Sequence, residues 1–240
     1  MILFLIKVKN IIFDILFPPI CLNCQKLITD KNNDKEIFLC ADCRDKIKLN
    51  SSLFCPACRL RLAHNKKICN HPNSQYLLAA AGNYDDEIFK NLIHYFKYQS
   101  FENLTPFLGD LILNYLNILN FNFSRFIIIS IPLHKYRERR RGFNQANLLG
   151  EYVSKKLNLE FLDALKRIKN NEPQAKLKNS EQRIKNMENC FKIKDGYNVN
   201  GKNIILIDDV FTTGATMNEA AKILKQNNAK KIIALVLARA

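Results

Sequence analysis

The sequence has no apolar run long enough to cross a bilayer, no low-complexity linker and no repeat on the scale of a domain. It is also short of acid: 22 Asp and Glu stand against 37 Lys and Arg, a formal charge of +15 over 240 residues. Each absence excludes something. A membrane-spanning helix needs about 20 consecutive apolar residues. The longest run in the apolar N-terminus, Met1 to Ile6, is six residues before Lys7 interrupts it. That N-terminus also lacks the order of basic region, apolar region and small-residue cleavage site that marks an export signal. The expected location is therefore cytoplasmic, with no transmembrane segment and with the eight Cys as reduced thiols, open to metal rather than disulfides. Met1 to Phe17 reads as an amphipathic helix packed on the body of the protein, with contact to a membrane surface as the alternative. The shortage of acid asks for a polyanionic partner: nucleic acid, a phosphate-rich ligand or an anionic membrane face. Part of the excess reflects a chain rich in Lys, Ile and Asn.

Apolar residues make up 48% of the chain, enough for a substantial core. The pattern changes near Ser74. Before it lie seven of the eight Cys and many turn residues; after it, helical and strand periods alternate. Asp85 is placed to cap a helix carrying Ile88, Leu92, Tyr95 and Phe96 on one face. Helices are expected over Leu108–Leu119, Asn144–Leu157 and Met217–Gln226, and buried strands over Phe126–Ile131, Ile204–Ile207 and Ile232–Leu237. Strands separated by helices imply parallel pairing, so the expected fold is α/β: an open, mostly parallel sheet with ligands at the C-terminal ends of its strands. A small metal-holding unit over 1–74 precedes it, leaving 75–240 for the sheet.

Cys21-Leu-Asn-Cys24 is followed after fifteen residues by Cys40-Ala-Asp-Cys43. Cys55-Pro-Ala-Cys58 comes eleven residues later, and Cys69-Asn70-His71 after ten more. A C-x-x-C knuckle offers two thiolates to one tetrahedral ion, and two knuckles complete a structural site for which Zn²⁺ is the expected metal. The first four Cys satisfy this alone. The second set of Cys55, Cys58 and Cys69 lacks a fourth knuckle thiol, leaving His71, His64 or no residue as its completing ligand. The spacing also permits a cross-braced arrangement. Cys190 stands apart and reads as core.

Around Ile204 to Thr216 a buried strand is expected to end at Asp208 and Asp209, with Thr212, Thr213, Gly214, Ala215 and Thr216 opening a helix. Backbone N–H groups and hydroxyls at a helix N-terminus bind phosphate, and carboxylates one step back accept hydrogen bonds from ribose hydroxyls. The run resembles the PRPP-binding motif of type I phosphoribosyltransferases. A second anion trap, read as a basic loop, follows the strand ending at Pro132: Lys135, Arg137, Arg139, Arg140 and Arg141 are five cations in seven residues. Tyr136 and Phe143 beside it are candidates for stacking on bases. A further basic segment, Lys166 to Lys185, reads as a mobile loop through Pro173 and then a short helix from Ser180.

Taken in order, the Cys pairs, IPLHKYRERRRGFNQA, EPQAKLKNSEQRIKNMENCF and IILIDDVFTTGAT resemble the ComF/GntX family over nearly the whole chain. The resemblance implies an N-terminal zinc ribbon, single or double, and a sheet of type I phosphoribosyltransferase type. It implies that Asp208 and Asp209 face a ribose and that Thr212 to Thr216 hold its 5′-phosphate, with Mg²⁺ accompanying PRPP. It places Leu133, His134 and Lys135 at the pyrophosphate, and Arg141 to Gln145 in the family's RGFNQ motif. It further implies a role in natural transformation, acting on single-stranded DNA, with the DNA-uptake machinery as partner; together with the charge of +15 and the Arg cluster, this makes Arg137, Arg139, Arg140 and Arg141 the expected DNA-binding residues. The competing reading is a nucleotide-salvage phosphoribosyltransferase. No general base and no base-binding pattern around Tyr84, Asp85 and Tyr98 supports it.

Overall fold

A computed structural model of the chain describes residues 19–28, 38–62, 71, 74–98, 101–171 and 179–240. The N-terminal helix expected over 1–17, His64, Cys69 and the loop through Pro173 lie outside the described residues.

The elements are α1 (Ala41–Asp45), β1 (Leu53–Phe54), β2 (Arg61–Leu62), β3 (Leu77–Asn83), α2 (Glu87–Tyr98), α3 (Leu104–Leu119), β4 (Phe126–Ser130), α4 (Lys135–Arg141), α5 (Gln145–Leu157) and β5 (Phe161–Leu162). The chain continues through β6 (Leu165–Arg167), α6 (Ser180–Met187), β7 (Phe191–Ile193), β8 (Asn203–Phe211), α7 (Ala215–Gln226) and β9 (Lys231–Arg239). Seven strands form one sheet in the order β2-β1-β3-β9-β8-β4-β5. The five strands from β3 to β5 are mutually parallel, and β1 and β2 add an antiparallel edge. β6 and β7 form a separate antiparallel ribbon.

The period of a strand, two, divides β8 between two cores. Ile205 and Ile207 pack with Phe89, Leu92, Phe96, Leu108, Ile112 and Leu149, against α2, α3 and α5. Ile204 and Leu206 pack with Ala220, Ala221, Leu224, Leu165 and Phe191, against α7 and the ribbon. A strand covered on both faces reads as a continuous apolar run. Cys190 lies in the second core, as expected. The first knuckle pair also belongs to the larger core: Cys21, Leu22, Leu39 and Cys43 are buried together with Ile88, Phe89 and Leu92.

Several elements differ from expectation. Asp86, not Asp85, caps α2, its Oδ1 accepting from the N–H groups of Ile88 (2.9 Å) and Phe89 (3.4 Å). Helix α3 starts four residues early at Leu104, and α7 starts at Ala215. The basic stretch after β4 is the helix α4 rather than a loop, capped by His134, whose Nδ1 accepts from the Tyr136 N–H at 3.3 Å. Lys166 and Arg167 belong to a strand. β8 does not stop at Ile207: Asp208, Val210 and Phe211 continue the ladder with Val236, Ala238 and Arg239.

Candidate functional site

Parallel register brings two loops together. Ser130, the last residue of β4, pairs with Ile207 of β8, so the chain leaves β4 level with the acid pair, and β8 runs on to Phe211 before its own turn at the same end of the sheet. Ile131 N–H donates to Ile207 O (2.9 Å), and buried Asn144 donates from Nδ2 to Ile131 O (3.0 Å), fixing the exit of the first loop. Leu133 and His134 are half-buried there, and Lys135 is exposed. On the other side the chain turns from Phe211 into α7 through Gly214, whose φ is +80°. A Cβ at Gly214 would lie 2.7 Å from the Phe211 ring, so only glycine allows this close turn. Asp208, Thr212, Thr213, Gly214, Ala215 and Thr216 line one small cleft at the start of α7. The helix N-terminus supplies orphan N–H donors there.

The two carboxylates are not equivalent. Adjacent positions in a strand face opposite ways, and Asp209 falls on the side of α2. Its Oδ1 is 2.8 Å from Lys97 Nζ in the last turn of that helix, an ion pair whose side chains are 19% (Lys97) and 10% (Asp209) exposed. Asp208 is half-buried and accepts from the Asp209 N–H at 2.8 Å. Burial, then the charge of Asp209, pushes the Asp208 carboxyl up to about 7 against the opposing pull of Lys97 and Arg141. Lys97 is held charged: burial works against it, but Asp209 and Asp208 together raise its pKa. Sequence reasoning missed Lys97, one Lys in an amphipathic helix with no local motif.

The four Arg of the basic segment are divided by the helix that carries them. Arg139 and Arg140 are exposed. Arg141 lies 5.4 Å from the Tyr98 ring centroid and donates to Gln145 Oε1 at 3.2 Å. Arg137 bonds the Asn171 carbonyl, and burial, followed by the charges of Arg167 and Arg141, lowers its pKa to about 10. Tyr136 is 61% exposed and open to stacking, but Phe143 is not: it is buried against Phe96 with ring centroids 5.7 Å apart.

The ligating atoms of Cys21, Cys24, Cys40 and Cys43 lie within 4.8 Å of one another, as do those of Cys55, Cys58 and His71. The pairs are therefore consecutive, not cross-braced. A Zn–S bond of about 2.3 Å puts tetrahedral sulfurs about 3.8 Å apart, and Cys24 Sγ and Cys40 Sγ are separated by 3.7 Å. Four thiols so close cannot all ionise unaided. Burial disfavours the Cys21 thiolate, yet the N–H groups of Cys24, Cys40 and Asn23 outweigh it and lower the thiol to about 6. At Cys40 the Cys43 N–H lowers the pKa, but burial and the neighbouring sulfurs push it up to about 12. A divalent cation removes this conflict, and the residues fit a structural zinc ion. Asn23 Nδ2 donates to Cys43 Sγ (3.4 Å) and its Oδ1 accepts from Asn91 of α2 (3.0 Å), tying the first cluster to the sheet domain.

The second cluster reaches the phosphate-type loop directly. Cys55 and Cys58 sit in the turn between β1 and β2. Arg59, at φ +61°, donates from Nη2 to Thr212 O (2.9 Å) and from Nη1 to Ala240 O (3.2 Å). Tyr76 Oη donates to Asn218 Oδ1 in the first turn of α7 at 2.7 Å. Neither residue was singled out by its sequence.

Residues 139–240 match the phosphoribosyl transferase domain model and residues 12–72 the double zinc ribbon domain model. With the parallel sheet and the paired Cys clusters, these define a protein of type I phosphoribosyltransferase-like fold carrying an N-terminal double zinc ribbon. The chain is 30% identical over 239 residues to "Competence protein ComFC" of Bacillus subtilis (strain 168), covering 92% of this chain and 95% of the relative. It is 29% identical over 231 residues to "Competence protein F" of Haemophilus influenzae, covering 92% and 96%. A third relative, "DNA utilization protein YhgH" of Escherichia coli (strain K12), is 28% identical over 211 residues, covering 84% and 90%. The chain belongs to the ComF family. No helix among the described residues is long and apolar enough to cross a membrane.

Proposed function

We propose that this protein serves the uptake or use of DNA, binding a ribose 5-phosphate ligand, PRPP, at the 208–216 site and single-stranded DNA through its basic surface. The names of its relatives support the first part. The observation that carries the second is the joining of an acid pair to a Gly214 turn and a helix N-terminus, beside the loop of Leu133, His134 and Lys135. Thr212 to Thr216 receive the 5′-phosphate. Asp208 accepts from the ribose hydroxyls, and Asp209, held by Lys97, fixes the strand beneath. The 133–135 loop takes the pyrophosphate. Asp208 makes no ion pair among the described residues, so it is the carboxylate open to Mg²⁺ arriving with the ligand. Mg²⁺ is commonly bound by one or two carboxylates plus substrate phosphates. The exposed Arg139 and Arg140 meet the DNA backbone, and the uptake machinery supplies the strand.

The test is calorimetric titration with PRPP and Mg²⁺. Asp208→Asn keeps the shape of the side chain and removes its charge. A hydrogen bond to a charged group contributes about 1.5–3 kcal/mol, so PRPP affinity is expected to fall at least about tenfold. Thr213→Val is expected to weaken PRPP as well. Wild-type affinity in both variants overturns the assignment. A salvage enzyme, by contrast, would release pyrophosphate from PRPP on addition of a free base, and would ignore oligonucleotides.

A further inference from the structure

The loop of Leu133, His134 and Lys135 forms one wall of a cavity of about 470 Å³ that extends away from the 208–216 cleft. Its far wall is the β6–β7 ribbon. Lys135, Lys166, Arg167, Lys192 and Lys194 line it, against the two carboxylates Glu138 and Asp163, of which Asp163 is paired with Lys194.

Two features of this wall are unfavourable in the protein alone. Lys166 and Lys192 are directly opposed across the ribbon and both are exposed. Like charges directly opposite one another destabilise an antiparallel pair. Arg167 is only 7% exposed, yet no carboxylate stands within ion-pair distance of it among the described residues. Its guanidinium makes long contacts, to Lys169 O (3.3 Å) and Met187 Sδ (3.5 Å), and lies 5.9 Å from the Phe191 ring centroid. Its charge also bears on its neighbours: His134 and Arg137 are lowered first by burial and then by Arg167. Burial outweighs the pull of Cys190 and Asp208 on Arg167, Asp208 acting from beyond ion-pair distance. A buried cation whose direct partners are weak, beside opposed surface cations, is relieved by an external anion.

The chemistry favours a long anion over a compact one. A pyrophosphate seated at His134 reaches the cavity, but Lys166 and Lys192 carry the positive charge out onto the solvent face of the ribbon. A neutral base finds cations where it needs apolar walls. We propose that the β6–β7 ribbon is a phosphodiester-binding surface, across which a single-stranded nucleic acid runs from Arg139 and Arg140 to Lys166 and Lys192, with Arg167 facing one backbone phosphate in the cavity. The proposal rests on the reading of this chain as a binder of single-stranded DNA.

The experiment uses the full chain, a fluorescent single-stranded oligonucleotide and, separately, PRPP. In Lys166→Ala with Lys192→Ala, oligonucleotide affinity at low salt is expected to fall about tenfold or more. Each single-strand phosphate contact contributes about −0.7 to the slope of log K against log salt, so the slope should flatten by about 1.4. PRPP affinity and the thermal midpoint should hold, since a repulsive pair has been removed. Undiminished oligonucleotide binding in this variant, with weakened binding in Arg139→Ala with Arg140→Ala, overturns the ribbon and keeps DNA binding. Loss of PRPP binding alone assigns the cavity to the small ligand and also overturns it. A wild-type protein that binds no oligonucleotide at low salt removes the DNA reading itself, and the ribbon with it.

Discussion

Lys97→Met removes one ammonium from the centre of the site while keeping most of the volume of the side chain. Asp209 then keeps a buried charge beside a second carboxylate, with its ion-pair partner gone. Breaking a buried pair from one side costs about 3–5 kcal/mol. The 19% exposure of the Lys97 side chain admits some water, which favours the lower end, about 3 kcal/mol. For a chain of this size each kcal/mol moves the midpoint by about 2–4 °C, so the loss should be about 6–12 °C. It should also depend on pH. Asp208 has its folded pKa raised, to about 7, chiefly by burial, against about 3.9 for an unfolded Asp. The folded state therefore binds this proton more tightly, and its stability falls as pH rises from about 4 through 7. Without Lys97 the acid pair holds the proton to still higher pH. Thermal unfolding followed by circular dichroism should show a larger penalty at pH 8 than at pH 6. Adding Asp209→Asn should recover most of it, because the stranded charge is gone. A Lys97→Met variant within 2 °C of wild type at pH 8 (roughly the shift of a surface substitution) refutes the argument, as does a deeper loss when Asp209→Asn is added.

Chelation, or Cys40→Ser with Cys43→Ser, should release zinc and lower the single unfolding midpoint of the whole chain, because Cys21 and Cys43 share a core with α2; metal analysis and calorimetry check this, and an unshifted midpoint counts against it. Arg59→Ala should weaken PRPP about fivefold, the equivalent of one hydrogen bond of about 1 kcal/mol to the Thr212 carbonyl. Oligonucleotide affinity is the control and should change far less.

The parts of the fold that were legible are those in which local pattern and tertiary role agree. Ile204 to Ile207 and Ile232 to Leu237 are continuous β-branched and aliphatic runs, and both became central parallel strands. β3 was not legible. Leu77-Leu-Ala-Ala-Ala-Gly-Asn has no β-branched residue, and it is a strand because β9 and β1 pair with it from either side. Small residues there let α2 approach: a Cβ at Gly82 would lie 2.3 Å from the Phe89 ring. The end of β8 was misjudged for a similar reason. Two adjacent Asp disfavour a strand locally, but the ladder to β9 holds them extended. In α4 the residues after His134 are good helix formers with no apolar stripe, so charge pattern suggested a loop where the His134 cap sets a helix.

The site was legible as a motif and illegible as a network. Residues 208 to 216 announce themselves because strand, acid pair and Gly-containing turn are contiguous. Lys97, Arg167, Arg59 and Tyr76 act on the distant partners Asp209, His134, Thr212 and Asn218, across as many as 153 residues for Arg59, and no local window contains both members of any pair. One of these links bears on why a zinc ribbon and a phosphoribosyltransferase-like sheet occur in one chain. The ribbon hairpin β1–β2 extends the sheet beside β3, and its knuckle turn carries Arg59 to the carbonyl of Thr212. A metal ion held by Cys55, Cys58 and His71 would fix that turn. Such an ion would thereby order one side of the phosphate-type loop through Arg59, and Tyr76 on the following segment holds the first turn of α7 from the other. A loop whose N–H groups are oriented in advance loses less entropy on binding an anion.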